Sequence, residues 1–591
     1  MWASLNQYLL LLVITSPLVG ILAIAVISRG GPKAAAEREA VVLHALLTLG
    51  LAGLLVIQYR APAAVPQTNA AARDIPTVQM QGGFRWIGDS VRLEERRAAK
   101  QTSEEDRLFH LPLLPIVRMA WGIDGVSLCF IVMTSLVMIP ALLSPAHRRG
   151  GGANAPAAFP THHKDDTVTA ICLLGCSFGL LGLLAAQDVV WLMACAGMLI
   201  GFSAFLLGTC GGVDRREAIT RSVARLGMGT LAIGLALIGF VYAFSWMQVW
   251  GGETEFLPQF LWQRVQHDLV VLREIDPVAD QVWRQTAPAI GLMCLAGAWA
   301  WLPMFPLHRR WIPLWRQSPP GLRFVWLCVG SQLGLFGLVQ FALPVFGPLE
   351  DATIWWSGLL GLSGFLYAQG VMAKQRTFLS AVSYGVVAQQ GLCFAALTCG
   401  ERAAFWGGLL QVVNVGLSVS LLVWQCMQGE RTNEAPSWCH RAAIGSMSGI
   451  PGTLGFIGQL LMLWGLFRSP IAGEMVLLTV PAIVFGGRLW QWAVQLPFDV
   501  ELGESPQISN GEIPTPSIST WTARGYAVVV AGVLMICGVH PGLMLNRLRP
   551  STEHLALAGK PVAEKEVVKV AAPRVRDGGP MTEPAGRDRE P

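Results

Sequence analysis

The sequence predicts an all-α polytopic membrane protein of about fourteen transmembrane helices, because apolar runs long enough to cross a bilayer recur along most of the chain. Hydrophobic residues make up 53% of the 591 residues and charged residues only 14%, against roughly 25% in a typical soluble domain. The mean hydropathy is +0.49. The apolar runs are continuous, whereas the strands of a membrane barrel would alternate. Lipid is therefore the solvent that this composition fits.

The apolar runs and the polar stretches between them divide the chain into consecutive segments. In order, these are two helices at 1–58, a polar extramembrane insertion at 59–118, a third helix and its loop at 119–166, five-helix repeats at 167–346 and 347–500, a loop and last helix at 501–549, and a tail at 550–591. The tail is rich in Pro, Gly and charged residues, which predicts disorder.

Two of the predicted helices are interrupted by proline. Pro303 and Pro306 break the seventh, and Pro451 lies between Gly449 and Gly452 in the twelfth. Proline removes a backbone donor and clashes with the preceding turn. Each break falls in the fourth helix of its five-helix unit, and matching broken helices are typical of inverted repeats. Two unrelated packing kinks are the alternative interpretation.

The short loops indicate how the chain is oriented in the membrane. Loops after odd-numbered helices carry most of the short-loop Lys and Arg residues, a bias that marks the cytoplasmic side. The main examples are Arg29, Lys33, Arg38, Arg148, Arg149, Arg215, Arg216, Arg221, Arg309, Arg310, Arg316, Lys374, Arg376 and Arg431. This pattern predicts a multi-pass protein of a bacterial cytoplasmic (inner) membrane with both termini on the non-cytoplasmic side. The net charge of +5 is accounted for by topology, so we expect lipid as a partner and no nucleic acid.

Six stretches, in matching order and spacing, resemble the antiporter-like subunits of complex I, and most closely the M subunit of NADH-quinone oxidoreductase. They are WGIDGVSLCFIVMTSLVMIPALL at 121–143, LPMFPLH at 302–308, GLFGLVQFALPVFG at 334–347, LSAVSYGVVAQQGL at 379–392, LLQVVNVGLSVSLLV at 409–423 and GIPGTLGFIGQLLMLWG at 449–465. The resemblance covers roughly residues 119–500. It implies the same fold, with fourteen helices and two inverted repeats.

In that family, buried ionisable residues form a chain across the membrane that is thought to carry protons. Charged groups are costly in lipid and therefore mark function. The resemblance places the six family positions on residues that are all neutral here: Gly197, Trp301, Gln332, Gln389, Val415 and Gln459. Glutamine makes hydrogen bonds but does not titrate near neutrality. We therefore expect a subunit that is degenerate for proton pumping, in which the glutamines hold water or join helices.

Three ionisable residues remain as a possible residual polar path, namely Asp188, His308 and Lys374. Each also has a simpler interpretation. Asp188 starts a predicted helix, where exposed backbone donors favour a carboxylate. His308 follows the first break and suits the interface, and a long lysine can extend its amine to the membrane surface.

The resemblance implies a non-catalytic membrane-arm subunit of a complex I-type assembly, linked to electron transport and proton translocation, with other membrane subunits as partners. We find no flavin, quinone, nucleotide or iron–sulfur motif, and so expect no cofactor, no metal and no active site of its own. A paralogous subunit of a cation/proton antiporter, a membrane hydrogenase or an inorganic-carbon uptake system is the alternative. An independent solute transporter is disfavoured, because no charged site near the membrane midplane is evident and no small-molecule substrate is identified.

Overall fold

The computed structural model describes eleven stretches of the chain. They are residues 2–29, 34–59, 79–85, 118–144, 162–212, 214–250, 277–346, 351–432, 438–469, 473–496 and 520–556. Most of the 59–118 insertion, the 251–276 loop, and residues 557–591 of the predicted disordered tail lie outside the described residues.

Helices dominate the described residues. The first seven are α1 (Trp2–Arg29), α2 (Ala34–Gln58), α3 (Gly125–Leu143), α4 (His162–Leu184), α5 (Val189–Cys210), α6 (Arg215–Trp250) and α7 (Pro277–Trp301). A 3₁₀ turn at Leu307–Arg310 leads to α8 (Ile312–Gln317), α9 (Pro320–Phe324), α10 (Leu333–Gly337) and α11 (Leu343–Phe346). The remainder are α12 (Asp351–Met372), α13 (Phe378–Thr398), α14 (Arg402–Thr432), α15 (Trp438–Met447), α16 (Leu454–Leu466), α17 (Gly473–Ala493), α18 (Thr520–Val539) and α19 (Gly542–Ala556).

The structure confirms the membrane class. Among the described residues, nine helices are long and apolar enough to cross a bilayer, and the bent pair Arg524–Val539 and Gly542–Arg549 adds a tenth if it forms one span. Large apolar side chains on α1 and α2 are exposed, including Leu22, Leu43 and Ile57. Lipid or other membrane subunits would cover such faces in a multi-pass protein. The chain is therefore a multi-pass integral membrane protein.

A small sheet departs from the all-α prediction. Strand β1 (Gln79–Arg85), inside the predicted insertion, pairs antiparallel with β2 (Arg118–Ile123), which leads directly into α3. Trp121 of β2 also bridges to Ala186, just before α5. The two strands lie far apart along the chain, so neither carries a local signal of its partner. Sequence periodicity cannot find such a pairing.

The last described helix overlaps the predicted start of the tail. Helix α19 continues to Ala556, past the expected boundary at residue 550. Arg547 on this helix donates to the Leu543 carbonyl and, at 3.5 Å, to the Val56 carbonyl at the end of α2. These contacts tie the last helix to the first pair.

Glycines allow the helices of the second half to approach closely. A Cβ added at Gly361 of α12 would lie 2.6 Å from the Gly391 carbonyl oxygen of α13, and one at Gly391 would lie 2.6 Å from the Gly361 carbonyl oxygen. Any larger residue would push the two helices apart. Small residues at such crossings are typical of membrane helix packing. This contact holds the central part of α13, and with it Gln389 and Gln390, within the bundle.

Candidate functional site

Both helices that the sequence predicts to be broken are interrupted at the proline residues. Helix α7 ends at Trp301, and Pro303 and Pro306 lie in the non-helical stretch before the Leu307–Arg310 turn. Helix α15 ends at Met447, and α16 begins at Leu454. Carbonyls freed at such breaks need donors from neighbouring side chains, because lipid offers none.

The second break is shaped by glycine on either side of Pro451. Gly449 has φ 72° and Gly452 has φ 88°, a left-handed conformation that residues with a side chain rarely adopt. Thr453 then caps α16 by accepting a hydrogen bond from the Phe456 amide at 3.4 Å. The chain can thus turn sharply between the two half-helices.

The span Pro320–Val345 has irregular hydrogen bonding around Gln332. π-helical turns at Val325–Val329 and Leu338–Ala342 enclose a 3₁₀ turn at Gly330–Gln332 and the short α10. Such turns are frequent at functional sites. The Gln332 side chain is fully buried, and its Oε1 accepts from the Gln390 amide of α13 at 2.7 Å.

The residue before Gln390 on α13 makes a second side-chain contact between helices. Gln389 Oε1 accepts from the Gln411 amide of α14 at 2.9 Å. Gln411 Oε1 in turn accepts a hydrogen bond from the Asn414 amide at 3.4 Å, one turn further along α14. Adjacent residues of α13 therefore connect the Pro320–Val345 span on one side with α14 on the other.

The contacts continue to the second break. Asn414 Oδ1 accepts from the hydroxyls of Ser446 on α15 at 2.5 Å and Ser418 at 3.1 Å. Ser446 Oγ also accepts from the Gly455 amide at 3.1 Å. The Gln459 amide donates to the Met447 carbonyl at 3.2 Å, the last residue of α15. Gln459 and Ser446 thus satisfy backbone groups that the break frees.

We call this set of buried side chains the amide chain. Its members are Ser331, Gln332, Gln389, Gln390, Gln411, Asn414, Ser418, Ser446 and Gln459. All are neutral at every physiological pH, since amides and serine hydroxyls have no pKa in that range. The contacts of the amide chain fall into three groups, around Gln332, around Asn414 and at Gln459. Buried polar groups that are largely satisfied make the packing of their helices specific. One atom, Gln390 Oε1, is buried without a hydrogen-bond donor among the described residues, so the chain has an open acceptor at its centre.

The three other family positions lie outside this chain. Trp301 is buried with its ring centroid 6.1 Å from that of Trp326, and it lines a small apolar cavity with Thr230 and Phe336. Val415 is buried next to Asn414. Gly197 lies on the exposed face of α5, where an added Cβ would meet no heavy atom within 4 Å.

The structure does not bring the three residual ionisable residues together. Asp188 caps α5, its carboxylate accepting from Val190 and Trp191 amides at 2.7 and 3.2 Å. The other end of α5 lies beside the last residue of α8, where the Gly212 amide donates to the Gln317 carbonyl. A 22-residue helix is about 33 Å long, which separates Asp188 from the membrane side on which α8 lies.

His308 and Lys374 lie in different surroundings. His308 is buried against the rings of Phe305, Tyr367 and Tyr384, with centroid separations of 6.2, 5.5 and 5.9 Å. Neither of its ring nitrogens has a hydrogen-bond partner among the described residues. Lys374 is exposed after α12.

Sequence reasoning missed several polar partners. Gln390, Gln411 and Asn414 lie in stretches that resemble the family. The family's ionisable positions fall on neighbouring residues, so the resemblance did not single these three out. Asp124, at the start of α3, also has a partner that the sequence does not show. Its carboxylate caps α3 by accepting from the Ser127 amide at 2.6 Å, and its second oxygen accepts from the Gln340 amide at 2.7 Å. Polar residues inside an apolar run were the available signal.

The curated relatives that the chain matches include M subunits of complex I. The chain is 23% identical over 463 residues to subunit M of NADH-quinone oxidoreductase from Rhodobacter capsulatus, covering 73% of this chain and 81% of the relative. It is 24% identical over 473 residues to subunit 13 of the Thermus thermophilus enzyme, covering 76% and 88%. No family model matches the chain.

Solved structures share the fold. A chain of respiratory complex I from Thermus thermophilus aligns with a TM-score of 0.63 at 19% identity, covering 93% of this chain and all (100%) of that one. The archaeal membrane-bound sulfane sulfur reductase aligns at 0.62 and 14% identity, covering 93% and 98%. The Mrp complex of Dietzia sp. DQ12-45-1b aligns at 0.61 and 16% identity, covering 94% and 52%. The resemblance found in the six sequence stretches is thus confirmed, and the chain is an M-subunit-like protein of the antiporter type.

Proposed function

We propose that the chain is a membrane-arm subunit of a complex I-type assembly, in the position of the M subunit, and that it does not itself pump protons through a charged relay. The amide chain is the observation that supports the absence of a charged proton relay. Relatives are expected to have titrating groups at these positions, whereas Gln332, Gln389 and Gln459 make neutral contacts between helices. A relay that couples proton movement to another process needs a state whose energy changes on protonation.

The full architecture belongs to the same proposal. We infer fourteen transmembrane helices, two inverted five-helix repeats at 167–346 and 347–500, and both termini on the non-cytoplasmic side of a bacterial cytoplasmic membrane. Helices at each predicted apolar run and breaks at Pro303 and Pro451 support this arrangement. The short-loop arginines support the orientation.

A paralogous subunit of another membrane complex is the second candidate. The shared fold with the sulfane sulfur reductase and Mrp complexes favours it, since this fold serves assemblies of different chemistry. In either case the subunit would have no active site or cofactor of its own. It would act through its neighbours in the membrane.

We expect the chain to purify from native membranes only as part of a larger assembly. The measurement is affinity purification of the tagged full chain in mild detergent, followed by native gels and mass spectrometry of the associated subunits. Co-purifying NADH-quinone oxidoreductase activity and subunits support the first candidate, and antiporter or sulfur reductase subunits support the second. A monodisperse monomer with its own transport activity would contradict both.

A further inference from the structure

An arginine buried in the first half of the protein has no counter-ion among the described residues. Arg225 lies in α6 within a membrane span and is 4% exposed. None of its three guanidinium nitrogens has a hydrogen-bond acceptor among the described residues. Charged groups in membrane spans are costly and mark a functional site unless they are paired.

The surroundings of Arg225 consist of donors and positive charge. Its guanidinium carbon lies 4.5 Å from the ring centroid of Trp311, a cation–π contact that offsets part of the desolvation cost. The indole nitrogen of Trp311 is itself buried, with no acceptor in the part of the chain that the structure describes. Arg310 directly precedes Trp311 in the chain, and it is exposed. A set of donors with two positive charges requires an acceptor-rich anion.

The outer face of α6 indicates which kind of anion. Exposed Ala224, Met228, Leu231 and Leu235 recur every three to four residues, so they form one apolar stripe that starts at the level of Arg225. One turn before the stripe, Arg221 is paired with Glu217 and contributes little net charge. A phosphate at the point where the apolar stripe of a membrane helix begins is the arrangement of a phospholipid.

We propose that Arg225 and Arg310 form a binding site for the phosphate of an anionic phospholipid, with the Trp311 ring packed against the Arg225 guanidinium and the acyl chains lying along the α6 stripe. Arg310 receives the headgroup at the surface. Arg225 is long enough to turn outward to the same phosphate, because a long basic side chain can extend its charged group to the membrane interface. Binding would then neutralise a charge that the protein alone leaves uncompensated. The site is independent of the amide chain and of which complex the subunit serves.

The test uses the native assembly in detergent, titrated separately with phosphatidylglycerol, phosphatidylcholine and inorganic phosphate. Bound lipid is counted by native mass spectrometry and stability is followed by thermal unfolding. We expect phosphatidylglycerol to bind at least tenfold more weakly to Arg225→Gln and to Arg310→Gln than to the wild type. Arg216→Gln, which removes an exposed arginine from the same helix, should bind as the wild type does.

The same two variants show whether a change in lipid binding is caused by a loss of protein stability. Removing a buried charge that has no counter-ion among the described residues should not destabilise the lipid-free protein, because no opposite charge is left uncompensated, and Arg310 lies at the surface. Equal phosphatidylglycerol binding by the wild type and both variants would overturn the proposal. So would an equal response to phosphatidylcholine, or full protection by inorganic phosphate alone, since neither needs an anionic lipid.

Discussion

The Gln332→Lys variant is expected to lower the amount of assembled protein severely. Gln332 is fully buried, and its side chain contacts the neutral Gln390 and Ser331. An uncompensated charge in such a site costs about 3–5 kcal/mol, which is a large part of the stability of a typical domain. Gln332 is one of the six positions at which the resembled family is expected to have an ionisable residue. The lysine therefore also tests whether one titrating side chain restores proton transport.

Gln332→Met is the matched control, because methionine has a similar length and no charge. It removes the hydrogen bond from Gln390 and should cost about 1–3 kcal/mol. Native gels and thermal unfolding of the membrane assembly compare the two variants. If Gln332→Lys assembled as well as the wild type and raised proton transport, an acidic partner would have to exist within reach, and the neutral interpretation of this site would be wrong.

The second large effect is expected for Asn414→Leu. Asn414 accepts from Ser446 and Ser418 and donates to Gln411, so leucine leaves polar groups on two helices without their partner. Each buried unsatisfied group costs about 1–3 kcal/mol, and the total should reach about 3 kcal/mol or more. The variant should lose the packing of α15 and α16 against α14, measured as a lowered Tm and faster proteolysis near residues 448–453.

Ser383→Ala is the control for Asn414→Leu. Ser383 is equally buried, but its hydroxyl donates to the Leu379 carbonyl of its own helix. Its loss should cost less than about 1 kcal/mol. Equal losses of stability in the two variants would mean that the contacts of Asn414 with α15 contribute nothing beyond an ordinary buried hydroxyl.

Local sequence signals predicted the helices and their interruptions. Pro303 and Pro451 could be located because proline acts on the backbone of its own helix. The apolar runs revealed α1 to α7 because hydropathy is a property of consecutive residues. The same signals missed β1 and β2, whose pairing joins distant parts of the chain.

The amide chain could be predicted only in part. The family comparison identified Gln332, Gln389 and Gln459 as neutral replacements, and their contacts between helices were one of two expected roles. Their partners Gln390 and Gln411 could not be assigned, because pairing depends on which faces of α13 and α14 meet. The position of α13 in turn depends on its close approach to α12 at Gly361 and Gly391, which a single sequence does not encode locally.

The proton-to-electron stoichiometry of membranes that contain this subunit tests the central claim most directly. It would be measured in the wild type and in the Gln332→Ala and Gln459→Ala variants, at matched levels of assembly determined on native gels. We expect the same stoichiometry in all three, because neither glutamine is part of a titrating relay. A lower stoichiometry in either variant, with assembly intact, would contradict the account and place the amide chain in a working proton path.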